Sequence, residues 1–235
     1  QNGGATISGD VDINLAGGEN VTLTNESTDG TWQYFTNTST GGGAWRIGSS
    51  GSAAGVGAGH FAWLSPLGSY PMTITCAGAV LKGQMPWFGA YNSVIRYDVT
   101  GDGTYIAALC FDTEICDNGG NFNGKCFIAP VAGVYTFSAN VKWLNLTSAM
   151  DYSYSSIYAG GMYHYVYAGP WEQSTKNSSN GVGFLSQNWN VAAVYMNAGD
   201  AAYVAAAITS GTDTVDIAAA TGGNGMTFFT GALLY

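Results

Sequence analysis

The sequence predicts an all-β protein whose larger, C-terminal part is a sandwich of two antiparallel sheets. Three observations carry that prediction. Of the 235 residues only 9% are charged while 46% are hydrophobic, against a charged share of about 25% in ordinary soluble domains. Ser, Thr, Asn and Gly must therefore solvate the surface, and with β-branched and aromatic residues they favour strands and tight turns over helices. From Trp87 onward apolar and polar residues alternate with the period of a half-buried strand.

Residues 1–85 read as a Gly-rich β region. Val11-Asp12-Ile13-Asn14-Leu15 and Val21-Thr22-Leu23-Thr24 alternate over a few positions each, as short strands do. Gly17-Gly18, Gly41-Gly42-Gly43 and Gly48-Ser49-Ser50-Gly51-Ser52 punctuate them as turns. A compact core is hard to build from such pieces. They either pack on the rest of the chain or form a fibrous section in which neighbouring chains supply the missing partners.

Residues 86–235 read as one β domain. Tyr135, Phe137, Ala139, Val141 and Trp143 share a face, with Thr136, Ser138, Asn140 and Lys142 opposite. Trp189, Val191, Ala193 and Tyr195 are expected to repeat the device. Asn197-Ala198-Gly199-Asp200 turns the chain into Ala201 to Ile208, and Gly211 to Asp213 turns it again before Val215 and Ile217. The last strand, Met226 to Tyr235, sets Phe228 and Leu234 against Phe229 and Leu233. A strand apolar on both faces faces the core on one side and either a second sheet or another subunit on the other.

Charge and composition exclude several functions. The net charge is −9 with six Lys plus Arg, so a nucleic-acid backbone is repelled and no basic stripe offsets that. No apolar run approaches the ~18 residues that span a bilayer. Gln1 opens the sequence without Met or a signal-like stretch, which fits processing and truncation equally. Cys76, Cys110, Cys116 and Cys126 form no C-x-x-C pair and stand apart from His60 and His164, a poor zinc pattern. All four are disulfide candidates in an oxidising compartment, the close spacing of Cys110, Cys116 and Cys126 permitting a local bridge; buried free thiols are the plainer alternative. Sequons at Asn20, Asn25, Asn37, Asn145 and Asn177 are compatible with glycosylation without indicating it.

The stretch Asn121-Phe122-Asn123-Gly124-Lys125-Cys126-Phe127-Ile128-Ala129-Pro130-Val131-Ala132-Gly133-Val134-Tyr135-Thr136-Phe137 resembles the globular head of the complement first component and the related tumour-necrosis-factor-like jelly rolls. Further marks follow in order over residues 87–235. Trp87-Phe88-Gly89-Ala90-Tyr91 looks like the first strand of such a head, Ala198-Gly199-Asp200 like its late turn, and Phe228-Phe229-Thr230-Gly231-Ala232-Leu233-Leu234 like its closing strand. Ala44-Trp45-Arg46-Ile47-Gly48, Met72-Thr73-Ile74 and Ala79-Val80-Leu81-Lys82-Gly83 are similar to the short-strand repeats that precede these heads in bacteriophage tail fibres. The resemblance implies a homotrimer with aromatic faces packed about the three-fold axis, on a virion surface or outside the cell. In fibres it further implies attachment to a host-surface glycan or protein. The alternative is a secreted filament subunit that polymerises by donating residues 1–30 as a strand to the next copy.

Candidate site residues come from two patterns. Asp98, Asp102, Asp112, Glu114 and Asp117 cluster around two loops. Asp98 and Asp102 are the candidate ligands for calcium, which takes several oxygens from flexible loops, against the plainer reading of solvated turn acids. No other cofactor is expected. Two of these acids would also suit glycoside hydrolysis, but no cleft signal, Ser–His–acid pattern, nucleotide-binding Gly loop or activated Cys accompanies them. The chain is read as non-enzymatic. The aromatic stretch Tyr152 to Trp171 holds Tyr163-His164-Tyr165-Val166-Tyr167. Tyr163, Tyr165, Tyr167 and Trp171 are candidates either for a subunit interface or for stacking on a sugar.

Overall fold

The computed structural model describes residues 28–147, 150–168, 183–210, 215–219 and 227–235. The strand candidates at Val11 and Val21, the donated segment before residue 28, the turn at Gly211 to Asp213, the sequons at Asn20, Asn25 and Asn177, and Trp171 lie outside them. The described residues form strands and no α-helix, and none of their elements is a helix long and apolar enough to cross a membrane. The chain divides into two compact units between Gly83 and Gln84.

The first unit is one five-stranded antiparallel meander, β1 (Gly30–Thr36), β2 (Ala44–Ser50), β3 (Phe61–Leu64), β4 (Met72–Ile74) and β5 (Val80–Leu81), in sequence order. Short strands and Gly-rich turns make neighbours in sequence neighbours in the sheet. Among its described residues Ala62 is the one fully buried apolar side chain, while Tyr34, Phe35, Trp45, Phe61, Val80 and Leu81 stand exposed. The Arg46 guanidinium sits 4.8 Å from the Tyr34 ring centroid. The single layer therefore has little core of its own.

The second unit contains β6 (Trp87–Tyr91), β7 (Arg96–Thr100), β8 (Thr113–Asn118), β9 (Cys126–Ile128), β10 (Gly133–Leu146), β11 (Met150–Ala159), β12 (Met162–Ala168), β13 (Gly183–Met196), β14 (Ala201–Ser210), β15 (Val215–Ile217) and β16 (Phe228–Leu233). Four antiparallel pairs define it: β6 with β16, β9 with β14, β10 with β13, and β11 with β12. Cross-pairing of β16 with β10 and of β14 with β11 closes these into two sheets, β6-β16-β10-β13 and β9-β14-β11-β12. That order is the rolled-up hairpin of a jelly roll, as the sequence predicts. In the larger sheet β8 extends the edge beyond β6, while β15 and β7 continue along the edge of β10 past the end of β16.

The core lies between the sheets. Tyr135, Phe137, Ala139, Val141 and Trp143 of β10 are all at most 1% exposed, which is what their alternation requires. Phe88 stacks on Phe122 at 4.8 Å and on Phe127 at 4.9 Å, and meets Phe229 edge-on at 4.9 Å. Gly231 makes room for them, since a Cβ there would stand 2.6 Å from Phe137 Cε1 and 2.7 Å from Phe88 Cε1. Buried polar atoms are paired: the Gln187 Oε1 accepts from Trp143 Nε1 of the same sheet at 2.9 Å and, across the sandwich, from Ser155 Oγ at 2.8 Å.

One expected alternation changes phase. Phe137 pairs with Val191 but Tyr135 with Val194, so β13 carries an extra residue opposite Thr136. This bulge turns Ala193 and Tyr195 outward and brings Val194 and Met196 inward. Thr136 anchors it by donating its hydroxyl to the Val191 carbonyl at 3.0 Å.

Buried Asp216 ties down two strained points, one in β7 and one near the end of β10. Asp98 (φ 54°) and Asn145 (φ 61°) both adopt left-handed backbone, uncommon for residues with a Cβ. The Asp98 N–H donates to Asp216 Oδ1 at 2.9 Å, and the Asn145 side-chain amide donates to Asp216 Oδ2. Among the described residues the one ion pair is Arg96–Asp112, at 3.7 Å.

Candidate functional site

The two outward faces of the jelly roll differ in chemistry. On the larger sheet, β6 presents Trp87 and Gly89, β16 presents Thr230 and Ala232, and β10 presents Thr136 and Ser138. Gly89 pairs with Cys116 and Ala90 with Glu114, which leaves Ile115 as an extra residue on β8. The bulge pushes Ile115 out to 69% exposure beside Trp87 at 48%. Between these two walls lies a depression of about 350 Å³ floored by Gly89, Cys116 and Thr230. Phe184, Tyr195, Leu234 and Tyr235 add further exposed apolar surface in the same unit.

On the smaller sheet the outward positions are Tyr152, Tyr154, Ser156 and Tyr158 of β11, Tyr163, Tyr165 and Tyr167 of β12, and Tyr203, Ala205, Ala207 and Thr209 of β14. Alternation produces this, because Ser153, Ser155 and Ile157 take the inward side of β11, and Val204, Ala206 and Ile208 that of β14. Gly160-Gly161, both with positive φ, make the hairpin that sets β12 against β11. Tyr105 joins from the segment bridged to β14 at Ile106–Ala206. Its ring stacks on Tyr154 at 6.1 Å and meets Tyr163 edge-on at 6.4 Å.

Eight phenols thus form a continuous sheet of rings. Tyr163, Tyr165 and Tyr167 stack in series at 5.6 and 5.5 Å, and Tyr158 stacks on Tyr203 at 4.8 Å. Ser156, Ala205 and Ala207 have no exposed surface although they point outward. Their small side chains leave space that the surrounding rings lean over and cover. The rims stay wet, with Tyr152 42%, Tyr165 48% and Tyr167 66% exposed. Tyr163 hydrogen-bonds to Tyr203 at 3.2 Å. Bonds from Tyr105 and Tyr203 hold the Tyr163 phenol below its ordinary value. Burial first, and then the bond to Tyr163, push Tyr105 and Tyr203 up.

Of the predicted aromatics, Tyr163, Tyr165 and Tyr167 lie together on this face. Tyr154 of the same aromatic stretch joins them, and Tyr105 and Tyr203 belong with them as cross-strand partners that no local pattern connects. Of the candidate calcium ligands, Asp98 is tied through its N–H to Asp216, while Asp102 is bridged to Thr209 at the edge of this face. Asp102 Oδ1 accepts the Thr104 N–H at 2.8 Å and closes a turn, and its bonds with Thr104 lower its pKa. Among the described residues no three His, Cys, Asp or Glu side chains gather as a metal site. Cys76 is exposed and Cys110, Cys116 and Cys126 are half-buried, all as free thiols. Burial raises Cys116 and Cys126, which makes them poor nucleophiles. At Asp112 burial works against the charge, but bonds from the Ser93 N–H at 2.7 Å and the Thr113 hydroxyl at 3.0 Å, with Arg96 near, outweigh it and lower the pKa. That carboxylate is occupied with holding a loop.

Comparison with known proteins finds no matching family model and no matching curated protein. Among solved structures the chain is similar to the globular domain of the zebrafish complement 1qA protein, at 16% identity over 64% of this chain and 98% of that one, with a TM-score of 0.37. It is also similar to murine APRIL, at 12% identity over 64% of this chain and 99% of that one, with a TM-score of 0.39. It is the strand order that defines the jelly roll of residues 84–235.

Proposed function

We propose that this chain is a non-enzymatic, self-assembling attachment protein of a virion surface or the extracellular space, built as a homotrimeric head of the kind that ends a tail fibre. The observation that carries the reading is the uncovered apolar face of the larger sheet. Trp87, Ile115 and their neighbours surround a depression on a face with few charges, and contiguous exposed apolar surface of that kind marks an interface. A second copy of the same domain is the partner that resolves it. The number three comes from the resemblance of residues 87–235 to complement-head and tumour-necrosis-factor-like domains.

The first unit supports assembly independently. A single sheet with one fully buried apolar residue among those described cannot hold itself together by burial. Its exposed Tyr34, Trp45, Phe61 and Leu81 would be covered by the same strands of neighbouring copies, as in a fibre shaft.

Light scattering of the full chain over a range of concentrations tests the proposal. A trimer is expected for the native chain, and Ile115→Arg should reduce it to monomers that keep their β circular dichroism. A native chain that stays monomeric at every concentration overturns the reading.

A further inference from the structure

We propose that the phenolic face of the smaller sheet is a binding platform for an uncharged polysaccharide. This rests on the reading of the chain as an attachment protein, and not on its stoichiometry. The face is unlike the one assigned to self-assembly. Its outward positions on β11, β12 and β14 hold Tyr, Ser, Ala and Thr, with no Leu, Ile, Val, Phe or Trp and no Lys or Arg, and the one charge these strands add on that side is the acid Asp151, exposed at the bulge beside Tyr152. The greasy groove suits another copy of the chain; the phenolic face offers broad flat rings edged with hydroxyls.

Sugar rings have matching surfaces, with C–H faces that lie on aromatic rings and hydroxyls that bond to polar rims. Tyr163, Tyr165 and Tyr167 present three such rings in a row, with centroids 5.6 and 5.5 Å apart. The row is preorganised. Tyr165 and Tyr167 pack on Tyr154 at 6.0 Å each, and Tyr163 on Tyr158 at 4.9 Å, so little side-chain freedom remains to be lost on binding. Charge selects among sugars. A chain of net charge −9 repels anionic polymers, and a face without Lys or Arg offers them nothing in return. An uncharged chain of sugars is the partner that fits both the rings and the field.

Affinity electrophoresis of the full chain in gels containing a β-glucan, an α-glucan or a mannan, with heparin as the anionic control, tests the platform. Retardation by at least one neutral polymer and none specific to heparin is expected. Tyr165→Ala and Tyr167→Ala should each weaken it by roughly tenfold, the scale of one lost ring stack. Tyr97→Ala, which removes an exposed ring from β7 of the other sheet, should leave it unchanged. No retardation by any of the three neutral polymers overturns the proposal, as do Tyr165→Ala and Tyr167→Ala variants that bind like the native chain. Light scattering on the same variants separates the two readings. An intact assembly without sugar binding refutes the platform alone, and sugar binding by a native monomer refutes self-assembly alone. Dissociation caused by Tyr165→Ala refutes the platform by making this face a contact between copies.

Discussion

Replacing Gly231 by Ala tests how the aromatic core is packed. Gly231 lies on β16, between β10 and β6, so its backbone is held by hydrogen bonds on both edges. The new methyl carbon would stand 2.6 Å from Phe137 Cε1 and 2.7 Å from Phe88 Cε1, nearer than carbon atoms approach without repulsion. Neither ring can swing away. Phe137 is 1% and Phe88 2% exposed; Phe88 stacks on Phe127 and meets Phe229 edge-on, and Phe137 stacks on Phe229 and meets Phe127 edge-on. Overpacking costs about 1–3 kcal/mol, and a clash with two immobile rings places Gly231→Ala near 3 kcal/mol. Phe137→Leu removes one of them. The double variant should recover at least about 1 kcal/mol relative to the sum of the single changes, the coupling expected of residues in contact. Urea unfolding at fixed protomer concentration, followed by the fluorescence of buried Trp143 and Trp189, measures each arm. A Gly231→Ala chain within about 0.5 kcal/mol of the native one, or a strictly additive cycle, would refute the packing described.

Asp216→Ala strips the acceptors from Asp98 and Asn145, whose left-handed backbones then lose their restraint. A loss of about 3 kcal/mol is expected in thermal unfolding, with Asp216→Asn keeping about half; an Ala variant as stable as the native chain would be the contrary result. Tyr105 and Tyr203 have folded pKa values above their ordinary 10.0, so the stability they confer is complete below about pH 10 and is lost as pH rises through the raised values. Phenolate absorbance should show a class of tyrosines ionising only beyond the ordinary range, and Tyr163→Phe should bring that class to lower pH; a single ordinary transition would contradict it. Asp112 has a folded pKa below 3.8, so its contribution is present above that value and disappears as pH falls through the lowered one. Asp112→Asn should flatten the acid side of the stability curve, and an unchanged acid limb would show that the Ser93 and Thr113 bonds carry no charge preference.

Much of the architecture was legible in the chain because a half-buried strand writes its environment into alternate residues. The run from Tyr135 to Trp143 shows this, every second residue falling in the core. The closing strand was legible as two-faced for the same reason, with Phe229 inside and Phe228 and Leu234 on the outer side of the sheet. Alternation fails where a single residue is added. Nothing local at Ala192-Ala193 announces the bulge that turns Tyr195 outward, since its cause is pairing with Thr136 far earlier in the sequence. The phenolic face was half visible. Tyr163, Tyr165 and Tyr167 declare themselves by spacing. Tyr105 and Tyr203 join through strand order, which no window of sequence contains. Ala205 and Ala207 look like core residues by type and are covered, yet from the outer side, by rings belonging to other strands.

The scarcity of ion pairs among the described residues has a consequence for where such a molecule can work. With Arg96–Asp112 the one pair among the described residues, cohesion comes from ring packing, apolar burial and backbone ladders, none of which dissolved electrolyte weakens by screening. Electrolyte instead damps the mutual repulsion of a chain at −9. Such a jelly roll should hold its shape from dilute freshwater to brine, and the proposed contact between copies should tighten somewhat as salinity rises.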